Sequence, residues 1–158
     1  MDEAKERYVE DFGLLFERIG GSRMIGRVLG LLSISDQQEH TAEELAELLR
    51  ASQSSISQAT RTLEQIGLVQ RLTKSGERRN YFRVKRGAWS EAVRQQITGS
   101  TMFREMAERG LGLVGSESPE ARDTLEDMRE FYAFWERELA AVIQQWDEQK
   151  ELRDKETG

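Results

Sequence analysis

The stretch from Gln53 to Gln65 carries short hydroxyls and amides where an ordinary helix surface carries glutamate and lysine. Gln53, Ser54, Ser55, Ser57, Gln58 and Gln65 are joined by one cation, Arg61, and one acid, Glu64, with no lysine. Such side chains let a helix sit deep in a groove and hydrogen-bond to base edges or phosphates. Ser52, immediately before them, adds a further hydroxyl. A second cluster follows at once. Between Gln70 and Arg86 lie Arg71, Lys74, Arg78, Arg79, Arg83, Lys85 and Arg86 against the single acid Glu77. Cations at such density suit a phosphate backbone or the negative potential of a minor groove. Lys74, Arg78, Arg79 and the neighbouring Tyr81 are therefore grouped with Ser52, Gln53, Ser54, Ser55, Ser57, Gln58 and Arg61 as candidate contacts to double-stranded DNA. A basic hairpin alone is equally an exposed strand pair kept soluble by charge. Its place directly after the hydroxyl-rich stretch favours the nucleic-acid reading.

The flanking residues supply the elements that would hold these groups. Thr41 and Glu44 form a capping-box pattern, so a helix starts there, with Leu45, Leu48 and Leu49 as its apolar face. After Arg50-Ala51, Ser52 caps a second helix in which Ile56, Ala59, Leu63 and Ile66 recur at 3-4-3 spacing and Gly67 marks the end. The polar cluster then falls opposite the apolar positions. Leu68 to Thr73 and Asn80 to Lys85 read as two strands joined by the turn Lys74 to Arg79. Charge agrees with this division. Residues 50 to 86 carry 9 basic and 2 acidic side chains, whereas residues 1 to 49 carry 5 and 11, and residues 87 to 158 carry 9 and 16. A basic module on an acidic scaffold is the electrostatic pattern of nucleic-acid binding, even though the net charge is −6.

Other chemistry is poorly represented. His40 is the sole histidine and precedes the capping box, a position expected of a loop residue and not of a base or ligand. There is no cysteine, no P-loop and no metal constellation, so no catalytic residue, metal or cofactor is expected. Gly110 to Gly115 spells G-x-G-x-x-G, but the dinucleotide fingerprint requires a preceding strand, and here a helical pattern precedes it.

Outside the central module the chain is helical in pattern. From Asp2 to Ile19, Tyr8, Phe12, Leu15 and Ile19 form a stripe widened by Val9 and Phe16. A second helix follows the Gly20-Gly21 stop, capped by Ser22, with Met24, Ile25, Val28, Leu31 and Leu32 inside; its Gly26 and Gly30 suggest close helix packing. Ala88 to Leu113 is again helical, weakened at Gly99. From the cap Ser118-Pro119, Leu125, Met128, Tyr132, Trp135, Leu139, Val142 and Trp146 recur at 3-4 spacing, and the charged tail beyond Trp146 is expected to fray. Such a seam must bury against the first helix, a second copy, or both. Tyr8, Leu125, Met128, Tyr132, Leu139, Val142 and Trp146 are the expected homodimer contacts. Phe12, Phe16, Met24, Trp89, Met102, Phe103, Met106, Phe131, Phe134 and Trp135 either line an adaptable pocket for a small apolar effector or simply form core. No apolar run reaches membrane-spanning length, and the charged N-terminus shows no export signal, so a soluble cytoplasmic protein is expected.

The motif SSISQATRTLEQIGLVQRLTKSGERRNYFRV resembles the recognition helix and wing of the MarR family of transcriptional regulators. The opening FGLLFERIGGSRMIGRVLGLL resembles its GbsR-like branch. The likeness covers roughly residues 10 to 90, and the remainder in outline. In the helix-turn-helix pattern Leu45-Ala46, Leu49, Ile56 and Ala59 match the core positions, while Arg50 stands where a turn glycine is usual, implying a different turn geometry. The resemblance implies dimerisation through the terminal helices and binding of lipophilic or aromatic small molecules. The expected architecture is mainly α, a winged helix-turn-helix with a small β-hairpin wing plus N- and C-terminal dimerisation helices. Its parts would be an N-terminal helix joining the dimerisation region (1–20), the DNA-binding domain (21–87) and a helical dimerisation region (88–158). The expected function is a dimeric DNA-binding repressor on a near-palindromic operator, released by a small lipophilic ligand. The competing reading is a winged-helix adaptor that binds proteins without binding DNA.

Overall fold

The computed structural model describes residues 1–115 and 118–157. They form two compact units, Met1–Ala88 and the segment from Trp89 onward. The first unit begins with α1 (Glu3–Arg18), whose N-cap Asp2 accepts a hydrogen bond from the Lys5 amide. Gly20, at φ +84°, ends it. Helix α2 (Arg23–Ile34) crosses α1 so closely that a Cβ on Gly26 would lie 2.3 Å from the Phe12 carbonyl oxygen. The Gly26/Gly30 pair is thus a packing device within the chain. That approach pulls Val9 and Gly13 of α1 inside, with Phe12 and Phe16 half-buried. It leaves Tyr8, Leu15 and Ile19 exposed, so the stripe read from spacing is only partly an internal face.

Next come β1 (His40–Thr41), α3 (Ala42–Leu49), α4 (Gln53–Gln65), β2 (Val69–Thr73) and β3 (Asn80–Val84). The strands make one antiparallel sheet in the order β1-β3-β2, with His40 opposite Phe82 and Gln70 opposite Arg83. Strand β1 has no counterpart in the sequence reading, because two residues are too few to show a period. His40 is accordingly a buried strand residue and not a loop residue. The capping box is present: Glu44 N–H donates to Thr41 Oγ1 at 3.2 Å, and Thr41 N–H to Glu44 Oε2 at 2.8 Å. Leu29, Leu45, Ile56 and Leu63, all fully buried, close a core between α2, α3 and α4, and Phe82 is buried from the sheet. Interdigitated aliphatic side chains of this kind each contribute on the order of 1.5–3 kcal/mol.

The second unit is a pair of helices, α5 (Ala88–Leu111) and α6 (Pro119–Thr157). Helix α5 runs through Gly99 without a break. They run antiparallel: Arg94 pairs with Asp147, Arg104 with Glu136 at 3.3 Å, and the Phe103 and Tyr132 rings stack 4.9 Å apart. A Cβ on Gly110 would meet Leu125 at 2.9 Å, so this glycine serves helix packing, and no strand precedes it as a dinucleotide site requires. Helix α6 continues past Trp146 to Thr157; the charged tail, expected to fray, is helical instead. Its Gln144 amide donates to Glu148 at 3.0 Å, one of the i,i+4 contacts by which a polar helix end supports itself.

Among the described residues no helix is long and apolar enough to cross a membrane.

Candidate nucleic-acid interface

Helix α4 is fixed from its buried side. Ile56, Ala59 and Leu63 enter the core, and Thr60, also buried, donates its hydroxyl to the Ile56 carbonyl at 2.9 Å. Its remaining face is open: Gln53, Ser54, Ser57, Gln58, Arg61 and Gln65 are exposed, and Ser55 is half-exposed. Ser52, also exposed, caps the helix by accepting from the Ser55 amide at 3.2 Å, and its hydroxyl meets those of Ser54 and Ser55 at 3.0 and 2.8 Å. The first turn of α4 thus presents a hydroxyl cluster together with free helical N–H groups, an arrangement suited to phosphate.

The turn that aims α4 departs from expectation. Arg50 takes the left-handed conformation, φ 50° and ψ 46°, that a turn glycine would take. The backbone path is therefore the usual one, and the arginine bears the steric cost. Two features hold it. Ala51 N–H donates to the Ala46 carbonyl at 2.9 Å, and the Arg27 guanidinium donates to the Leu49 carbonyl at 2.9 Å while its Nε reaches Glu10 at 2.7 Å. Arg27 was not singled out from sequence, since its partners lie 17 and 22 residues away.

The wing is β2 and β3 with the turn Lys74–Glu77, closed by the Glu77 amide donating to the Lys74 carbonyl at 3.1 Å. Gly76 sits in it at φ +83°, a conformation natural to glycine. Arg78 and Arg79 are exposed at this tip and have no ion pair among the described residues. Three other basic groups, Arg71, Lys74 and Arg83, are engaged. Arg71 reaches Glu64 on α4 at 2.6 Å, tying wing to helix. Lys74 lies over the Tyr81 ring, 3.9 Å from its centre, and pairs with Glu39 at 3.1 Å; Arg83 reaches the same carboxylate at 3.4 Å. The hydrogen bond to Glu39 raises the Lys74 pKa, keeping the ammonium charged. Tyr81 donates its hydroxyl to Glu77 at 2.5 Å, which raises the phenol pKa. The polar face of α4 and the basic wing thus belong to one compact unit, joined by the Arg71–Glu64 pair.

His40 contacts Ser35 Oγ through Nε2 at 2.7 Å, while its buried Nδ1 has no hydrogen-bond partner among the described residues and lies 3.8 Å from Glu44. Burial lowers the His40 pKa, against the raising effect of Glu44.

The aromatic and methionine set is divided between the two units. Phe12 packs on Tyr8, with ring centres 5.1 Å apart, and against Gly30. Phe16 lies beside Gly21. Met24 lines a crease between α2 and α4 together with Ser55, Gln58 and Thr62. Trp89, Met102, Phe103, Met106, Phe131, Phe134 and Trp135 are each 38–64% exposed, so within one chain they are surface and not core. Of the expected dimer contacts, Tyr8, Val142 and Trp146 are exposed. Leu125, Met128, Tyr132 and Leu139 are half-buried.

Residues 25–81 match the sequence pattern of the MarR family, and residues 87–149 that of MmpR5-like MarR family transcriptional regulators. The HTH-type transcriptional regulator MmpR5 of Mycobacterium tuberculosis is 34% identical over 136 residues, which span 86% of this chain and 82% of that protein. A crystal structure of a transcriptional regulator superimposes with a TM-score of 0.86 at 32% identity, covering 92% of this chain and 99% of the other. With the winged helix-turn-helix and its exposed polar helix in place, these likenesses establish that the chain belongs to the MarR family of transcriptional regulators, a family of DNA-binding proteins and not of enzymes.

Proposed function

We propose that the chain acts as a homodimer on a near-palindromic operator, with α4 of each copy in the major groove and the wing tip on the adjoining backbone or minor groove. The observation that carries this reading is the exposed run Gln53, Ser54, Ser57, Gln58 and Arg61 together with the exposed Arg78 and Arg79 of the wing tip. Ser54, Ser57, Gln58 and Arg61 are placed to read bases or phosphates, and Ser52, Gln53 and Ser55 to meet phosphate at the helix start. Lys74, Arg78, Arg79 and Tyr81 serve the backbone. Two helices related by a two-fold axis would enter successive major grooves about 34 Å apart. The unburied side chains Tyr8, Val142 and Trp146 supply surface for the second copy, with Leu125, Met128, Tyr132 and Leu139 half-buried alongside.

A dimer seated across two grooves blocks access to the DNA beneath it, so repression is the simplest consequence, and the cytoplasm is the location that this role fits. In the second unit Trp89, Met102, Phe103, Met106, Phe131, Phe134 and Trp135 offer adaptable surface for a lipophilic ligand, and in the first unit Phe12, Phe16 and Met24 offer a separate apolar patch. Such a ligand would release DNA by favouring a dimer whose helix spacing misfits the operator. The opening sequence points to the GbsR-like branch, and the match over residues 87–149 supports a place beside MmpR5-like regulators. A protein-binding adaptor is the weaker reading, since the relatives are transcriptional regulators.

Two substitutions divide the labour. Arg79→Ala should weaken binding to every duplex and reduce the salt slope by about one, while Gln58→Ala should relax specificity at a cost of about 1–3 kcal/mol on the preferred sequence. Equal losses from both changes on specific and random DNA would refute the division.

A further inference from the structure

Glu39 stands just before β1, outside both clusters recognised from sequence, and its side chain is largely buried under two cations. The strand register explains why they meet. His40 faces Phe82, so Glu39 lies next to Arg83, and Gln70 faces Arg83 from the other side. With the Gln70 amide oxygen turned toward it, Arg83 also donates through Nε and Nη2 at 2.8 Å. Lys74 is folded back from the wing tip, over the Tyr81 ring, to reach Glu39 Oε2 at 3.1 Å. One carboxylate therefore occupies an ammonium and a guanidinium on the outer face of the wing sheet, whereas Arg78 and Arg79 at the tip remain without an ion pair among the described residues.

We propose that Glu39 is a built-in counter-ion that competes with DNA phosphate for Lys74 and Arg83 and so limits the affinity of the wing for any duplex. The inference rests on the reading of the wing as a DNA contact. A cation held by a carboxylate must give up that partner before it can neutralise a phosphate, so its share of counterion release is muted. Because phosphate contacts carry no sequence information, the effect is the same on all duplexes. Glu39 thereby keeps the sequence-independent part of binding low and leaves discrimination to α4.

The test uses the full chain and a random-sequence duplex spanning two helical turns, with affinity measured across a salt series. Glu39→Gln should tighten binding by about two- to fivefold near physiological salt, the range a partly exposed ion pair supports. It should also steepen the slope of log affinity against log salt by about one for each cation released. Lys74→Ala should cost little in the native background and remove about half of the gain in the Glu39→Gln background, leaving the share of Arg83. Glu39→Asp, which keeps the charge and shortens the reach, should fall between, and it carries the test if the glutamine variant does not fold. Unchanged or weaker binding by a folded Glu39→Gln protein, with an unchanged salt slope, overturns the proposal. Arg79→Ala separates the two levels. If it weakens the same duplex while Glu39→Gln does not tighten it, only the counter-ion role fails; if Arg79→Ala has no effect, the wing reading itself fails.

Discussion

In the unit from Met1 to Ala88, Leu29, Leu45, Ile56 and Leu63 are closed to solvent and the polar face of α4 is open; from Trp89 onward, the buried side chains among the described residues are Ala107, Ser100 and Ile143, while Trp89, Phe131, Phe134 and Trp146 face water. The first unit has four helices and a sheet to cover its apolar faces. The second has two helices, and two helices can shield only the surfaces they turn toward each other. Apolar side chains of this size stand to gain about 1.5–3 kcal/mol each when covered. The proposed reading head is therefore complete within one chain, whereas the α5–α6 pair leaves a large apolar surface open.

The largest effect is expected at α6. Replacing Val142 and Trp146 together with glutamate should leave the first unit folded, abolish the proposed dimer in sedimentation, and lower operator affinity by about 10²–10⁴-fold, the advantage of linked binding sites. A dimer that survives both charges would place the covering surface elsewhere. Truncation sharpens the contrast from the other side. Leu45→Ala should cost about 2–5 kcal/mol in denaturant unfolding, while the exposed Val142→Ala should cost almost nothing in a dilute, monomeric sample. Arg50→Gly should stabilise the first unit by about 1 kcal/mol, because glycine takes the left-handed turn without the Cβ clash. No gain in its unfolding midpoint would mean that the arginine side chain compensates its own strain.

The smallest effect concerns His40. Its folded pKa lies below the ordinary 6.5, because burial opposes the charged ring. Between these two values the unfolded chain binds more protons, so the contribution of His40 is fully present above about pH 6.5 and declines as pH falls through the lowered folded value. His40→Asn should flatten the pH dependence of the unfolding midpoint in that window, and an unaltered profile would assign the dependence to other groups.

Much of the first unit was legible because local rules fix it. The Thr41/Glu44 box, the 3-4-3 spacing of Ile56 to Ile66 and the Gly67 stop each bind neighbours in sequence to a defined geometry. The hydroxyl-rich face of α4 followed from that spacing alone. Strand β1 was not legible, since it exists only through pairing with Phe82 and Tyr81, some forty residues on. Glu39 and Arg27 were missed for the same reason: nothing local distinguishes them from other surface charges. Arg50 misled in a different way. The residue type argued against a left-handed turn, yet the hydrogen bonds around Ala46, Leu49 and Arg27 over-determine it. In α6 the apolar periodicity located the seam, and only packing against α5 separates the half-buried Leu125, Met128, Tyr132 and Leu139 from the open Phe134, Val142 and Trp146.

Footprinting of the protein on the DNA flanking its own gene tests the central claim most directly. The expected result is a two-fold symmetric protection whose halves are centred about one helical turn or a small multiple apart, lost when α4 carries Gln58→Ala and Arg61→Ala together. No protection at any concentration that saturates the folded protein, or a single unpaired half-site, would contradict a dimer that reads DNA through α4.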